Sequence, residues 1–329
     1  MRRILVVTNM WPNDEKPYYG LFVKEQVDSI KAERRNWEVD VFNIKGNVQR
    51  SYYFTSILAI RRLLKNKQYD LIHIHFGLSG LFLLFLKMKN LPIICTFHGS
   101  DISANSKKNL IKRISMQVAK KCSRLLVLNE SMVNTISALN VPFDVLPCGV
   151  NCDFFLNRDR DVSDLKKIRI GFPSTPERPE KNYSLFERIV NAIKRELLVE
   201  VEVVFFKDLT RLQVLENLNT IDVLLMTSNY EGSPQIIKEA MACNTKIVTR
   251  DVGDVRWLLD KVQNAEVIEF DADVGVYVNA IKLLLNNEVS NAGCLSREKL
   301  FQLGLDHTTV ASRLAEIYEE EMNAFYDKN

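Results

Sequence analysis

Ile221-Asp222-Val223-Leu224-Leu225-Met226-Thr227-Ser228 runs into Asn229-Tyr230-Glu231-Gly232-Ser233-Pro234 and then Gln235-Ile236-Ile237-Lys238-Glu239-Ala240-Met241-Ala242-Cys243-Asn244. The first part is an apolar run of buried-strand length. The second is a turn closed by Gly, Ser and Pro. The third reads as a helix over 234–243, with Ser233 suited to the N-cap and Pro234 to the first helical position. Ile236, Ile237, Ala240 and Met241 form its apolar stripe, which leaves Gln235 and Glu239 off the core. Strand, tight turn and helix are the parts from which open parallel sheets build ligand sites. The unbonded N–H groups of the helix start favour a phosphate. Glu231 precedes them, and Glu239 lies about 9 Å along the axis from Ser233, at ~1.5 Å per residue. A phosphate flanked by two carboxylates that accept sugar hydroxyls has the shape of a nucleotide-sugar site.

Outward from this stretch, the chain alternates strands and helices. Strands are predicted over 3–8, 37–42, 71–75, 93–97, 124–128 and 143–146. Helices fit 21–34, 54–67, 78–89, 109–121 and 131–139. A second series has strands over 168–172, 199–206, 223–227, 246–249 and 266–270, with helices over 183–197, 211–218, 234–243, 255–260 and 274–286. Such alternation implies α/β architecture, with parallel sheets covered on both faces. The charged stretch 157–167 marks a boundary. The expectation is two doubly wound, Rossmann-like domains, 1–154 and 155–307, facing each other across a cleft. The helix from 308 to about 325 has little strand of its own series to pack on, so 308–329 is expected to cross back to the first domain.

With 329 residues, 47% hydrophobic and 26% charged, the composition is that of a soluble globular protein. The longest apolar run, within 81–86, is too short to cross a bilayer. The N-terminal apolar stretch stops after four residues, so it reads as a first strand rather than a signal peptide, and a cytoplasmic protein is expected. The six cysteines are scattered and read as free thiols. His73 and His75 share one strand face, which permits a metal, but no carboxylate or cysteine cluster accompanies them. No metal or cofactor is expected, and no nucleic-acid motif is present. Charge is unevenly spread. Residues 1–154 hold 22 Lys+Arg against 12 Asp+Glu, and the remainder 22 against 29. The basic half, with Lys107, Lys108, Lys112, Arg113, Lys120 and Lys121 near one helix, suits an anionic membrane surface or an anionic substrate.

Each chemistry-bearing loop follows a predicted strand. Thr8-Asn9-Met10-Trp11-Pro12 leads to Gly20 at a helix start, where backbone can approach a phosphate or sugar closely. His98-Gly99-Ser100-Asp101 puts a histidine at a strand end, able to bond a sugar hydroxyl or move a proton. Arg178 and Lys181 are cations on a proline-rich loop, suited to a leaving diphosphate. No Gly-x4-Gly-Lys loop or Gly-x-Ser-x-Gly elbow occurs.

Taken together these residues resemble the family-4 retaining glycosyltransferases of GT-B fold, over almost the whole chain. Glu231-Gly232-Ser233-Pro234-Gln235-Ile236-Ile237-Lys238-Glu239 is similar to the family's E-x7-E motif. The loop leading to Gly20, Asp70-Leu71-Ile72-His73-Ile74-His75-Phe76, the His98-Gly99-Ser100-Asp101 loop and Pro147-Cys148-Gly149-Val150-Asn151 follow in the family's order. The resemblance implies transfer of a sugar from a nucleotide-diphosphate donor, with anomeric configuration retained and no divalent metal. It implies that Glu231 binds the sugar near its anomeric carbon, that Gly232, Ser233 and Pro234 present backbone to sugar and diphosphate, and that Glu239 holds the ribose hydroxyls. Arg178 and Lys181 would meet the diphosphate, His98 the donor sugar and acceptor side, and Gly20 the diphosphate from the opposite domain. The acceptor would be a saccharide or lipid-linked saccharide in bacterial surface polysaccharide synthesis, with the protein peripheral on the membrane. Two departures stand out. Phe172, not arginine, follows Gly171, and Val252-Gly253-Asp254 replaces the commoner double glycine. A nucleotide-sugar epimerase of related architecture and a non-catalytic scaffold of a polysaccharide assembly complex are the alternative readings.

Overall fold

The computed structural model describes residues 1–46, 48–88, 91–102, 109–157, 167–286 and 293–327. The chain forms two compact units, Met1–Gly149 with His307–Asn329, and Val150–Asp306. In the first, β1 (Arg3–Thr8), β2 (Glu38–Asn43), β3 (Leu71–His75), β4 (Ile93–Thr96), β5 (Arg124–Val127) and β6 (Phe143–Val145) make one parallel sheet in the order β2-β1-β3-β4-β5-β6. Side chains alternate across it, as the pleat demands. Leu5, Val7, Ile72 and Ile74 enter one core, and Ile4, Val6 and Leu71 the other. The helices are α1 (Leu21–Glu33), α2 (Tyr52–Asn66), α3 (Asn109–Ala119) and α4 (Glu130–Ile136). The core of Leu5 and Val7 is covered by α2, α3, α4 and a 3-10 segment, Gly77–Leu84. A regular helix was expected over 78–89. Two glycines bring this segment against α3 instead: a Cβ on Gly80 would lie 2.4 Å from Val118, and one on Gly77 2.5 Å from Ser115.

The second unit repeats the architecture. Its parallel sheet has the order β11-β10-β9-β7-β8. Its strands are β7 (Lys167–Phe172), β8 (Glu200–Phe205), β9 (Val223–Met226), β10 (Ile247–Arg250) and β11 (Ala265–Ile268). Its helices are α5 (Tyr183–Leu197), α6 (Arg211–Thr220), α7 (Gln235–Ala242), α8 (Val255–Leu258), α9 (Val274–Leu285) and α10 (Ser296–Gln302). Helix α10 has no counterpart in the sequence reading.

The last helix, α11 (His307–Tyr326), returns to the first unit. Its Val310, Leu314, Ile317, Tyr318 and Met322 join Ile4, Val6, Val27, Ile30 and Trp37 in one core. The first unit ends earlier than the expected residue 154, because Val150, Cys152 and Phe155 are buried with Leu215, Leu224 and Met241 of the second. Arg297 of α10 fixes them there, its guanidinium donating to the carbonyls of Cys152 at 2.8 Å and Phe155 at 2.6 Å. The expected linker residues 158–166 lie outside the described residues.

Candidate active site

Strand β9 is buried throughout and delivers the 227–234 loop to the C-terminal edge of its sheet. The neighbouring β7 delivers the proline-rich loop that ends in the 3-10 turn Pro179–Lys181. The two loops are stitched together. Thr227 Oγ1 contacts the Lys181 and Asn182 carbonyls, both at 3.1 Å, and the Asn229 N–H donates to the Glu180 carbonyl at 2.8 Å. This stitching brings Lys181 Nζ to 2.5 Å from Glu231 Oε1, which also accepts from Ser228 Oγ at 2.7 Å. Both partners of the ion pair are mostly buried, with side chains 12% and 15% exposed. Arg178 stands apart from this pair. It is half exposed and donates to Glu180 instead. Arg250, which the sequence reading passed over, donates to Asn229 Oδ1 at 2.7 Å with its guanidinium stacked over Phe270.

Helix α7 starts one residue later than expected. Pro234 is its N-cap, with ψ 113 and no side-chain cap, so Ser233 lies outside the helix. Its hydroxyl accepts instead from Lys238 Nζ at 3.3 Å. The reading that Glu239 faces away from the core also fails. Lys238 and Glu239 are buried beside Ile237, Ala240 and Met241. A buried carboxylate needs a partner, and Glu239 has Arg211, the first residue of α6, donating from Nη1 at 2.6 Å. Arg211 is itself stacked over Phe155 at 4.5 Å. A capping box of Thr210 and Gln213 fixes the start of that helix.

The loop after β10 closes on the Glu231 turn. Gly253 adopts φ 64, and a Cβ there would lie 2.4 Å from the Gly232 carbonyl oxygen, so only glycine fits without strain. Asp254 follows. Its carboxyl is buried beside Ser233 and Lys238. Burial pushes it up to about 6, against the pull of Lys238.

In the first unit, β3 pairs with β4 so that His75 lies opposite Thr96, and His98 follows two residues on. His75 Nδ1 and His98 Nε2 share a hydrogen bond of 3.2 Å. His73 is bonded through its two ring nitrogens to the Tyr318 hydroxyl of α11 and to Thr96 Oγ1. Burial, reinforced by the neighbouring histidines, depresses both: His73 falls to about 3, and His75 lies well below its usual range. The His98 N–H donates to Asp101 Oδ1 at 3.1 Å, and the Gly77 N–H to Asp101 Oδ2 at 2.8 Å. Burial raises Asp101 to about 6 despite these bonds. Phe76, between His75 and Gly77, sits at φ 72, a strained conformation for a bulky residue. Gly20 caps α1 at φ 71, where a Cβ would meet the Met10 carbonyl carbon at 2.3 Å. Phe22, two residues on, lies 5.2 Å from the His98 ring. Gly20 and His98 thus belong to one neighbourhood of the first unit. Lys181, Glu231, Gly232, Ser233, Pro234 and Glu239 belong to one wall of the second.

Residues 4–154 match the family described as Glycosyltransferase Family 4, and residues 186–300 that described as Glycosyl transferases group 1. The chain is 25% identical over 222 residues to TuaC of Bacillus subtilis, named for teichuronic acid biosynthesis. That match covers 59% of this chain and 56% of TuaC, so it spans little more than half of that relative. It is 23% identical over 277 residues to UDP-Gal:alpha-D-GlcNAc-diphosphoundecaprenol alpha-1,3-galactosyltransferase of Escherichia coli, covering 72% of this chain and 71% of that protein. The structure of sucrose-phosphate synthase from Thermosynechococcus elongatus superposes with TM-score 0.75 at 14% identity, over 98% of this chain and 100% of that one. The parallel sheets, the matched segments and this superposition agree: the chain belongs to glycosyltransferase family 4 and has the GT-B fold.

Proposed function

We propose that this glycosyltransferase takes its sugar from a nucleotide-diphosphate donor, retains the anomeric configuration, needs no divalent metal, and acts on a saccharide or lipid-linked saccharide of a bacterial surface polysaccharide. The observation that carries the donor reading is the Lys181–Glu231 pair at the ends of β7 and β9. A cation and a carboxylate held side by side, mostly out of water, suit a diphosphate next to a sugar hydroxyl. Glu231 takes hydroxyls near the anomeric carbon. Gly232, Ser233 and Pro234 offer backbone to sugar and phosphate. Glu239, paired with Arg211, takes the ribose hydroxyls. Lys181 neutralises charge on the leaving diphosphate, and Arg178 joins it by exchanging Glu180 for phosphate. His98 and Gly20 are assigned to the same transfer from the first unit. In the step itself, the bond from anomeric carbon to diphosphate oxygen breaks as the acceptor oxygen bonds to that carbon on the same face. The acceptor proton passes to the departing phosphate oxygen. The relatives named for teichuronic acid and for a diphosphoundecaprenol acceptor support the polysaccharide and lipid-linked reading.

The test is donor turnover with a panel of nucleotide sugars, with and without undecaprenyl-diphosphate-linked sugars, in the presence of EDTA. Turnover undiminished by EDTA is expected, and Glu231→Ala should lower kcat/KM about 10²-fold or more. Unchanged turnover in that variant would remove Glu231 from the site. Interconversion of donors without any acceptor would replace transfer by epimerisation.

A further inference from the structure

Between Asp40 and Glu130 the chain carries fifteen Lys and Arg but only two acids, Asp70 and Asp101. Neither acid offsets the cations of the covering helices. Asp101 is buried, and Asp70 accepts from the Arg3 N–H and from the hydroxyl of Tyr326 in α11. The segment supplies α2, the Gly77–Leu84 turn and α3, which cover the same face of the first sheet. These three elements carry cations alone, Arg61, Arg62 and Lys65 on α2 and Lys112 and Arg113 on α3, while Glu130 opens the neighbouring α4. Interleaved with them are large apolar side chains that the core does not take. Phe54 is 62% exposed, Leu58 59%, Phe85 61% and Leu110 69%. On α2 the spacing is that of one helical stripe, with Phe54, Leu58 and Arg62 each four residues apart. The opposite face of the sheet differs. Its outer helices α1 and α11 carry Glu25, Asp28, Glu33, Glu316, Glu319 and Glu320. The basic helix noted in the sequence is therefore one part of a wider surface whose apolar members come from three elements. Lys107 and Lys108 lie outside the described residues.

Exposed aromatic and aliphatic side chains ringed by cations, with no acid among them, match a layer of anionic headgroups over acyl chains. We propose that the outer face of α2, the Gly77–Leu84 turn and its following Phe85, and α3 docks on an anionic lipid bilayer, with Phe54, Leu58, Phe85 and Leu110 entering the interface and Arg61, Arg62, Lys112 and Arg113 pairing with headgroup phosphates. This deepens the lipid-linked acceptor reading and names the surface that brings the enzyme to its acceptor.

The experiment is flotation of the full-length protein with vesicles, with no donor or acceptor present, so that it reads docking and not transfer. Vesicles of phosphatidylcholine alone are compared with vesicles containing phosphatidylglycerol, over a salt series. Binding to the anionic vesicles only, weakening as salt rises, is expected. Arg61→Glu with Arg62→Glu should weaken it at least tenfold, since each cation near such a surface contributes about fivefold. Phe54→Ser with Leu58→Ser should weaken it comparably while leaving the salt dependence in place. Lys24→Glu with Lys31→Glu, on the opposite face, serves as the control and should bind as the parent does. Far-UV circular dichroism confirms that each variant is folded. Binding unaffected by either pair of α2 substitutions, or lost equally in the control, overturns the proposal. So does equal capture by a soluble polyanion such as heparin with no contribution from Phe54 and Leu58, which would mark the face as a polyanion site. Loss of docking with donor hydrolysis intact separates this proposal from the catalytic reading.

Discussion

At the scale of single residues, the pair that decides most is Glu239 and Arg211. Glu239 is buried in a helix whose Ile237, Ala240, Met241 and Ala242 are buried with it. Its charge is tolerable there because Arg211 meets it at 2.6 Å and is itself held flat against Phe155. Removing one member of a buried pair leaves the other charge uncompensated, at a cost of about 3–5 kcal/mol. Arg211→Ala is therefore expected to lower the stability of the second unit by roughly 3 kcal/mol, read as a lower denaturation midpoint. It should also weaken nucleotide binding more than Arg211→Lys does. An unchanged midpoint would mean that Glu239 finds another partner. The E-x7-E spacing, and with it Glu231, was legible from the sequence. Arg211 was not, because it lies 28 residues from its partner and nothing local distinguishes it from other helix-start cations. The burial of Lys238 escaped for a related reason. A charged residue next to an apolar stripe reads as solvated until the packing of α7 is known.

At the scale of elements, β3 concentrates two buried neutral histidines, His73 and His75. Their folded values lie below the ordinary 6.5, so the unfolded chain binds more protons on acidification and stability falls as pH drops through 6.5 toward 3. Asp101 acts in the opposite sense. Raised to about 6, it favours the folded state as pH falls from 6 to its ordinary value of 3.8. Two histidines outweigh one aspartate. The first unit should lose roughly 2–3 kcal/mol between pH 6.5 and 5, at ~1.4 kcal/mol per unit and group. Hydrogen exchange of the β3 amides at the two pH values measures this, and His75→Gln should reduce the loss. An opening free energy, taken from exchange rates corrected for the intrinsic rate at each pH, that stays the same at both pH values would contradict the burial of these rings. Most strands were readable to within two residues, because a buried parallel strand is a short apolar run bounded by turn residues. The contact of His75 with His98 depends on the register between β3 and β4, which no single segment encodes. The Gly77–Leu84 turn was misread as a regular helix because it is apolar all round, and it took its winding from a close approach to α3.

At the scale of the whole molecule, the second unit is one uninterrupted stretch, Val150–Asp306, inserted into a first unit that is completed only by α11. The ends of the insertion lie side by side, with Val150 paired in parallel with Asp306 and its N–H donating to the Leu305 carbonyl at 3.0 Å. This arrangement makes the two units unequal in their dependence on the chain end. Five large side chains of α11, Val310, Leu314, Ile317, Tyr318 and Met322, are buried in the first unit. At roughly 1.5–3 kcal/mol each, their burial is worth about 7–15 kcal/mol as an upper estimate. That equals the whole stability of an ordinary domain, about 5–15 kcal/mol. Removal also strips Tyr318 from buried His73. A chain ending at Asp306 should therefore lose the first unit and keep the second. Calorimetry of the full chain, of 1–306 and of 150–306 tests this directly. The fragment 150–306 should unfold cooperatively and reproduce the one transition left in 1–306. Both transitions surviving in 1–306 would show that α11 only decorates the first unit. Loss of both would show that the second unit, despite its adjoining ends, cannot stand without the first.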